Sequence, residues 1–317
     1  MRRGGPPTLP VDAASVPAFS RVERGPRGLR LVAAPAPDGA ADDDGPALRL
    51  RAAAPVAVRD ALVVAGGKLV LATAAGVAYS LSVPQMQVIH DRRPPGLDLA
   101  AGAPLANAGL LRAEDGWRAV VLPSLGDVAA GLGPGPVAIR ADGRRIAAAV
   151  DGGVEEWDLG TPDPVARHEG APAALCYAGD DTLLAASGAR AGAPGADPGD
   201  GSPIVSLSGA SSAPRAVARH EDGSISVWEA GVADPVGAWP SPLPAAGAPA
   251  LSPDGTLVAL GTPAGDEPVA CLARAEDGAI VRAVAGARTL APSPAEDGGV
   301  VGGDWGCAWL TPLEEDA

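Results

Sequence analysis

The sequence predicts an all-β protein: a single ring of four-stranded antiparallel units. Seven units fit the length best and six are the alternative. Three observations carry this. Apolar runs are short, about five to eight residues, which suits strands rather than helices. Gly, Pro and Asp-Gly bound the runs, and these are turn formers. The pattern also recurs, with Gly76, Gly116 and Gly152 standing 40 and 36 residues apart. A unit of about 40 residues made of four short strands is the blade of a β-propeller. The chain has 317 residues, and closed all-β folds of this size form one domain.

The clearest unit is "GPVAIRADGRRIAAAVDGGVEEWDLGTPDPVARHEG", residues 135–170. It divides into pieces at 137–140, 145–150, 154–158 and 164–167. Asp142-Gly143 and Asp151-Gly152 make the first two joints, and Asp-Gly supplies the positive backbone angles of tight hairpins. "EDGSISVWEAGVADPVGAWP" at 221–240 repeats the second half of that unit. "KLVLATAAGVAYSLS" at 68–82 and "LLRAEDGWRAVVLPSLG" at 110–126 repeat the turn and the strand after it. "APALSPDGTLVALG" at 248–261 and "LAPSPAEDGGVVGG" at 290–303 give the first hairpin of a unit. Between Asp151 and Asp222 lie 71 residues, too many for one plain repeat and few for two. "GARAGAPGADPGDGSP" at 188–203 is expected to be an inserted loop.

The last unit lacks its outer strand, because Pro312 and the acidic Glu314, Glu315 and Asp316 follow its third. Two alternating segments precede the first unit, "GLRLVAAP" at 28–35 and "PALRLRAAAP" at 46–55. One of them is expected to fill the vacancy and close the ring, since an open edge invites pairing with other chains. The domain division is then a flexible N-terminal arm over 1–27 and the propeller over 28–317.

Alanine is abundant and aromatics are 3% of the chain. Alanine is ordinarily a helix former, but a high-GC coding bias explains its abundance here. Small side chains must therefore fill much of the core. The net charge is -14, which repels phosphate backbones and argues against nucleic acid as a partner. The basic-leaning stretch, Arg2, Arg3, Arg21, Arg24, Arg27 and Arg30, lacks interleaved aromatics and reads as a solvated arm. The start "MRRGGPPTLP" has no apolar run behind its charges, so no secretory signal is expected. No stretch approaches the ~20 apolar residues of a membrane span, so no membrane partner is expected. Cys176, Cys271 and Cys307 are an odd number at wide spacing, neither a disulfide framework nor a zinc site. Each is expected to be a buried free thiol, and the location cytoplasmic.

"SPDGTLVALG", "DGSISVWEAG" and "DGGVEEWDLG" resemble WD40 repeats of a degenerate, bacterial type, over about residues 55–311. In that family the turn Asp and the Trp six residues later belong to a hydrogen-bonded tetrad with a His and a Ser or Thr. The resemblance implies that Asp151 with Trp157 and Asp222 with Trp228 are two such pairs. It implies His168 as a third member, leading into the unit that begins near Ala173, with Ser187 and Thr73 as second-strand members. Trp157 and Trp228 are both expected to be buried structural residues.

His168 stands near Glu155, Glu156, Asp158 and Glu169, but acid–base chemistry needs convergence in space. Strand alternation sends Glu155 and Trp157 to one face and Glu156 and Asp158 to the other. With His90, His168 and His220 the chain's three histidines, a Ser-His-Asp hydrolase has little to draw on. "GLGPGP" at 131–136 breaks the dinucleotide fingerprint at Pro136, and "GGKL" at 66–69 lacks the residues of a phosphate loop. "DDDG" at 42–45 would place Arg51 where a calcium loop needs a carboxylate. No catalytic, cofactor-binding or metal site is therefore assigned, and no cofactor. The function expected is a protein–protein interaction scaffold or a subunit of a multi-protein bacterial assembly, monomeric or within a hetero-complex, and no enzyme. A propeller enzyme, a hydrolase or lyase, would instead show carboxylates or a metal converging at the axial channel. A small-ligand or glycan sensor would show exposed aromatics for stacking.

Overall fold

The structure, a computed structural model, describes residues 8–12, 15–38, 40–41, 48–74, 76–93, 98–179, 181–197, 199–243, 246–262, 265, 267–295 and 298–312, with Leu132 by its backbone alone. The candidate calcium segment 42–45, Arg2, Arg3 and the acidic residues Glu314, Glu315 and Asp316 lie outside these. The described residues form thirty strands in seven sheets.

Four strands precede the first blade: β1 (Ser15–Val16), β2 (Phe19–Gly25), β3 (Gly28–Ala33) and β4 (Leu48–Ala54). Blade 1 is β5 (Asp60–Val64), β6 (Leu69–Ala74), β7 (Val77–Ser82) and β8 (Val88–Arg92). Blade 2 is β9 (Asp98–Ala103), β10 (Ala108–Ala113), β11 (Gly116–Val121) and β12 (Gly126–Leu132). Blade 3 is β13 (Val137–Ile139), β14 (Arg145–Val150), β15 (Gly153–Asp158) and β16 (Ala166–Glu169). Blade 4 has three strands, β17 (Ala174–Ala178), β18 (Thr182–Ser187) and β19 (Arg190–Gly192). Blade 5 is β20 (Ile204–Gly209), β21 (Arg215–His220), β22 (Ser224–Glu229) and β23 (Gly237–Pro240). Blade 6 is β24 (Ala250–Leu251), β25 (Leu257–Gly261), β26 (Val269–Arg274) and β27 (Ile280–Ala285), extended by β2 and β3. Blade 7 is β28 (Thr289–Pro292), β29 (Gly299–Gly303) and β30 (Gly306–Pro312), completed by β4 and β1.

The ring is thus seven-bladed, and an N-terminal strand closes it. β4 pairs antiparallel with β30, from Cys307 opposite Ala54 to Pro312 opposite Leu48. The segment that fills the vacancy is 46–55, not 28–35. The first strands of blades 1 to 6 neighbour one another in turn around the axis, β25 of blade 6 meets β28, and β28 returns to β5. The spacing of 71 residues between Asp151 and Asp222 is two units after all. Among the described residues blade 4 has three strands, and the next strand after β19 is β20 of blade 5.

The arm expected over 1–27 is corrected for its second half. β2 pairs in parallel with β27 and antiparallel with β3, so a boundary at residue 27 falls in the turn of a hairpin. Alternation explains this: Leu29 and Leu31 are buried while Arg30 and Val32 are not. Residues 8–12, with β1 beyond them, stitch the two sheets across the seam. Leu9 donates to the Ala53 carbonyl of β4, and Asp12 donates to the Leu29 carbonyl of β3.

The core is divided among the seams between blades, and each seam holds an apolar cluster. Blades 7 and 1 share Trp309, Met86 and Cys307, and blades 1 and 2 share Leu71, Leu111 and Val120. Blades 6 and 7 bury Leu29, Leu31 and Leu50 of the N-terminal strands with Leu290 and Leu310. The abundance of small residues has a geometric use here. A Cβ on Gly209 of β20 would lie 1.9 Å from the Tyr177 carbonyl of β17, so only glycine permits that approach. A Cβ on Gly261 would lie 2.0 Å from the Arg288 carbonyl.

Backbone hydrogen bonds also tie the turns of one face together. Ala65 and Gly66 of blade 1 donate to Ala106 and Pro104 of blade 2, and Leu105 donates to Ala141 of blade 3. Gly179 of blade 4 donates to Ala210 of blade 5, and Ser212 donates to Pro253 of blade 6. Between blades 3 and 4 the link is ionic, from Arg140 to Asp181.

Candidate functional site

The first strands of the blades surround a cavity of about 460 Å³ on the ring axis. Its walls are largely apolar, with Leu62, Ile139, Leu175 and Leu260 among them, and its charged groups are Arg59, Asp60, Asp98 and Arg288. Asp60 and Asp98 are the first residues of β5 and β9. Parallel first strands put both at the same mouth of the channel.

Asp60 is the most perturbed acid of the described residues. Burial pushes its carboxyl up from 3.8 to about 6, and the charge of Asp98 pushes the same way. The Ala61 amide donates to Oδ1 at 2.8 Å and the Thr289 hydroxyl also bonds it, and both oppose the rise. The carboxyl is ringed by protein yet half-exposed, because it opens onto the channel. A group that ionises near pH 6 is poised to exchange a proton with what enters. Among the described residues no three His, Cys, Asp or Glu side chains are grouped to hold a metal ion. Arg288 is engaged elsewhere, in a bidentate pair with Asp304 at 2.8 and 2.7 Å. Among the described residues the mouth thus offers two carboxylates, Asp60 and Asp98.

The structure does bring Glu156 and His168 together. They lie on neighbouring strands of blade 3, with His168 Nε2 at 2.8 Å from Glu156 Oε1. The Tyr177 hydroxyl of blade 4 donates to the other oxygen at 2.6 Å. Burial drives the Tyr177 phenol far above its ordinary range, and the Glu156 bond adds to this. The chain of three joins blade 3 to β17, the innermost strand of blade 4. His168 is a seam residue in this setting, in β16 rather than in a loop leading to the next blade. Neither Trp nor Ser partners it.

A second chain lies within blade 5. Trp228 Nε1 donates to Ser226 Oγ at 2.7 Å, and Ser226 Oγ lies 2.7 Å from His220 Nε2. His220 Nδ1 faces the Ser202 carbonyl at 2.7 Å, which fixes its proton there and leaves Nε2 to accept from Ser226. Asp222, expected in this network, instead caps its own turn by accepting from the Ser224 amide and hydroxyl. Those two bonds, hydroxyl first, hold its carboxyl below the usual range. Sequence reasoning missed Ser226 and His220. The signal was a His two residues before an Asp-Gly turn and a Ser two before the Trp.

Trp228 is buried at 3% exposure, but Trp157 is half-buried on the core between blades 2 and 3, which corrects the expectation for it. Asp151 is exposed in its turn. Thr73 is buried opposite Asp60, and Ser187 sits opposite Arg190 at the hairpin of blade 4. The three thiols are buried and free. Desolvation raises all of them, Cys271 and Cys307 to about 12, so they are inert as nucleophiles.

No family model matches this sequence, and no curated protein matches it significantly. Among solved structures it is similar to U3-55K, a WD40 β-propeller protein. The TM-score is 0.59 and the identity 14%, over 85% of this chain and 100% of that one. In all, 1171 solved chains match the fold, too many for the fold alone to select a function. The likeness shows the fold, an all-β propeller.

Proposed function

We propose that this chain is a protein–protein interaction platform, a subunit of a larger bacterial, cytoplasmic assembly, with no reaction of its own. One observation carries the reading: on one face the turns of blades 1 to 6 are linked from blade to blade, so they form a fixed surface. A surface that is already ordered binds without the entropy cost of ordering loops. The polar groups that converge, Glu156 with His168 and Tyr177, and His220 with Ser226 and Trp228, bond blades and strands to one another. The resemblance of the Asp-Gly…Trp units to WD40 repeats supports the same class by analogy of fold.

A second reading has one observation in its favour, the perturbed Asp60 beside Asp98 at the channel mouth. It makes the channel a site for a small cationic ligand or an axial reaction. A glycan sensor has less support, since every Trp, Tyr and Phe is buried or half-buried.

The test is to tag the full chain in its own cells, crosslink, and map the crosslinks by mass spectrometry. The platform reading expects one or a few proteins at fixed stoichiometry, with crosslinks on the turn face. A chain that runs alone at 31.1 kDa and binds small cations through Asp60 would favour the second reading.

A further inference from the structure

We propose that the β2–β3 hairpin is a docking ledge for an acidic, extended segment of a partner protein. The hairpin adds two strands beyond β27, so blade 6 has six strands where blade 5 beside it has four. One face of it, with Val22, Leu29 and Leu31, is packed toward blade 7. The other face carries Arg21, Glu23, Arg30 and Val32, because residues directly opposite share a face: Arg21 with Val32 and Glu23 with Arg30.

The charge of this ledge is opposite to that of the molecule. The ledge face and its turn hold Arg21, Arg27 and Arg30 against Glu23, a net +2 in a chain of -14, while Arg24, opposite Leu29, lies on the side packed toward blade 7. Glu23 is shared by Arg30 at 2.8 Å and Arg21 at 3.0 Å, and their hydrogen bonds, that of Arg30 first, hold its carboxyl below the usual range. One carboxylate thus serves two guanidinium groups, with donors left over. The side chains of Arg21 and Arg30 remain 59% and 44% exposed. Arg24 is exposed and donates to the Trp305 carbonyl of blade 7, at 3.3 Å. Arg27, exposed at the turn, has no partner among the described residues. A hollow of about 300 Å³ opens there, lined by Arg27 and Arg30 against Asp12.

Guanidinium groups favour bidentate pairing with carboxylates. The ledge is one hairpin long, and a peptide segment rich in Asp or Glu matches that length. A nucleic-acid backbone would continue past it over a surface of strongly negative net charge, and no exposed aromatic is present for base stacking. The proposal takes the class of partner from the interaction reading above.

The experiment titrates a fluorescein-labelled peptide of ten glutamates with the full chain and follows anisotropy at low and physiological ionic strength. Saturable binding is expected, weakened at least tenfold by R21Q/R27E and about threefold by R27E alone, with the melting temperature unchanged. R27E keeps the test valid if the double variant is less stable, since Arg27 supports no described contact. R167E, at an exposed arginine of blade 3, should leave binding unchanged. The proposal fails if the peptide does not bind, or if R167E weakens it as much as R27E. It also fails if a ten-nucleotide thymidine oligomer binds the same arginines as tightly. Loss of peptide binding would leave the platform reading intact, and recovery of an assembly would not by itself support the ledge.

Discussion

Blades 3 and 5 carry the same signal and build different interiors. Each has an Asp-Gly turn with a Trp six residues after the Asp, at Asp151 and Trp157 and at Asp222 and Trp228. In both, the turn glycine has a positive φ, 81° at Gly152 and 86° at Gly223, and the strand register follows from it. The interiors part at two other positions. Four residues after the Asp, blade 5 has Ser226 and blade 3 has Glu155; two before it, blade 5 has His220 and blade 3 has Ala149. Ser226 and His220 complete a buried chain that takes the indole N–H inward. Glu155 instead meets Arg167 at 3.5 Å across the strand pair, and Trp157 stays half-buried. The spacing fixes the ladder, and the residues between fix what the ladder holds.

Both blades presuppose a closed ring, so the largest effect should come from opening it. Deleting residues 1–54 removes β1 to β4 and uncovers the edge of β30. The truncated chain should aggregate or melt without cooperativity in calorimetry. A monomer melting at the original temperature would show that β4 does not close the ring.

The two tryptophans should then separate. Trp228→Ala should cost about 3–5 kcal/mol, as for a buried aromatic, while Trp157→Ala should cost about 1–2 kcal/mol. Equal losses in denaturant titrations would erase the distinction between the blades. The intervening positions give a finer version. Ser226→Ala leaves Trp228 and His220 without their shared partner and should cost about 1–3 kcal/mol. Glu155→Ala breaks a partly exposed pair and should change stability by less than about 0.5 kcal/mol.

A further effect, one that depends on pH, lies at the channel. Asp60 ionises near pH 6 in the folded chain against an ordinary value of 3.8. The folded state therefore holds a proton that the unfolded state releases between those values, and stability falls as pH rises from about 4 to 6. The loss is complete once pH has risen well above 6. It should be on the order of 1 kcal/mol, since the channel's opening to solvent offsets part of the shift. Asp60→Asn should raise the melting temperature at pH 7.5, leave it unchanged at pH 4, and flatten the profile between.

Local signals carried most of the fold. Asp-Gly turns and short apolar runs are set by a few adjacent residues, so the strands of blade 3 could be placed within three residues of their true bounds. Closure by a segment before the first blade followed from counting strands in the last. The parallel pairing of β2 with β27 was not legible, because about 260 residues separate them and no turn marks the contact. The polar chains were hidden for a similar reason. Glu156 and Tyr177 meet across a seam, 21 residues apart. Asp60 and Asp98 stand 38 residues apart and meet only because both begin first strands.

The central claim is that the turn face is a fixed surface, and amide hydrogen exchange measures this directly. The amides of Ala65, Gly66, Leu105, Gly179 and Ser212, each donating to the neighbouring blade, should exchange as slowly as amides within the strands. Exchange at the rate of unstructured peptide at these positions, with the strands still protected, would contradict the account.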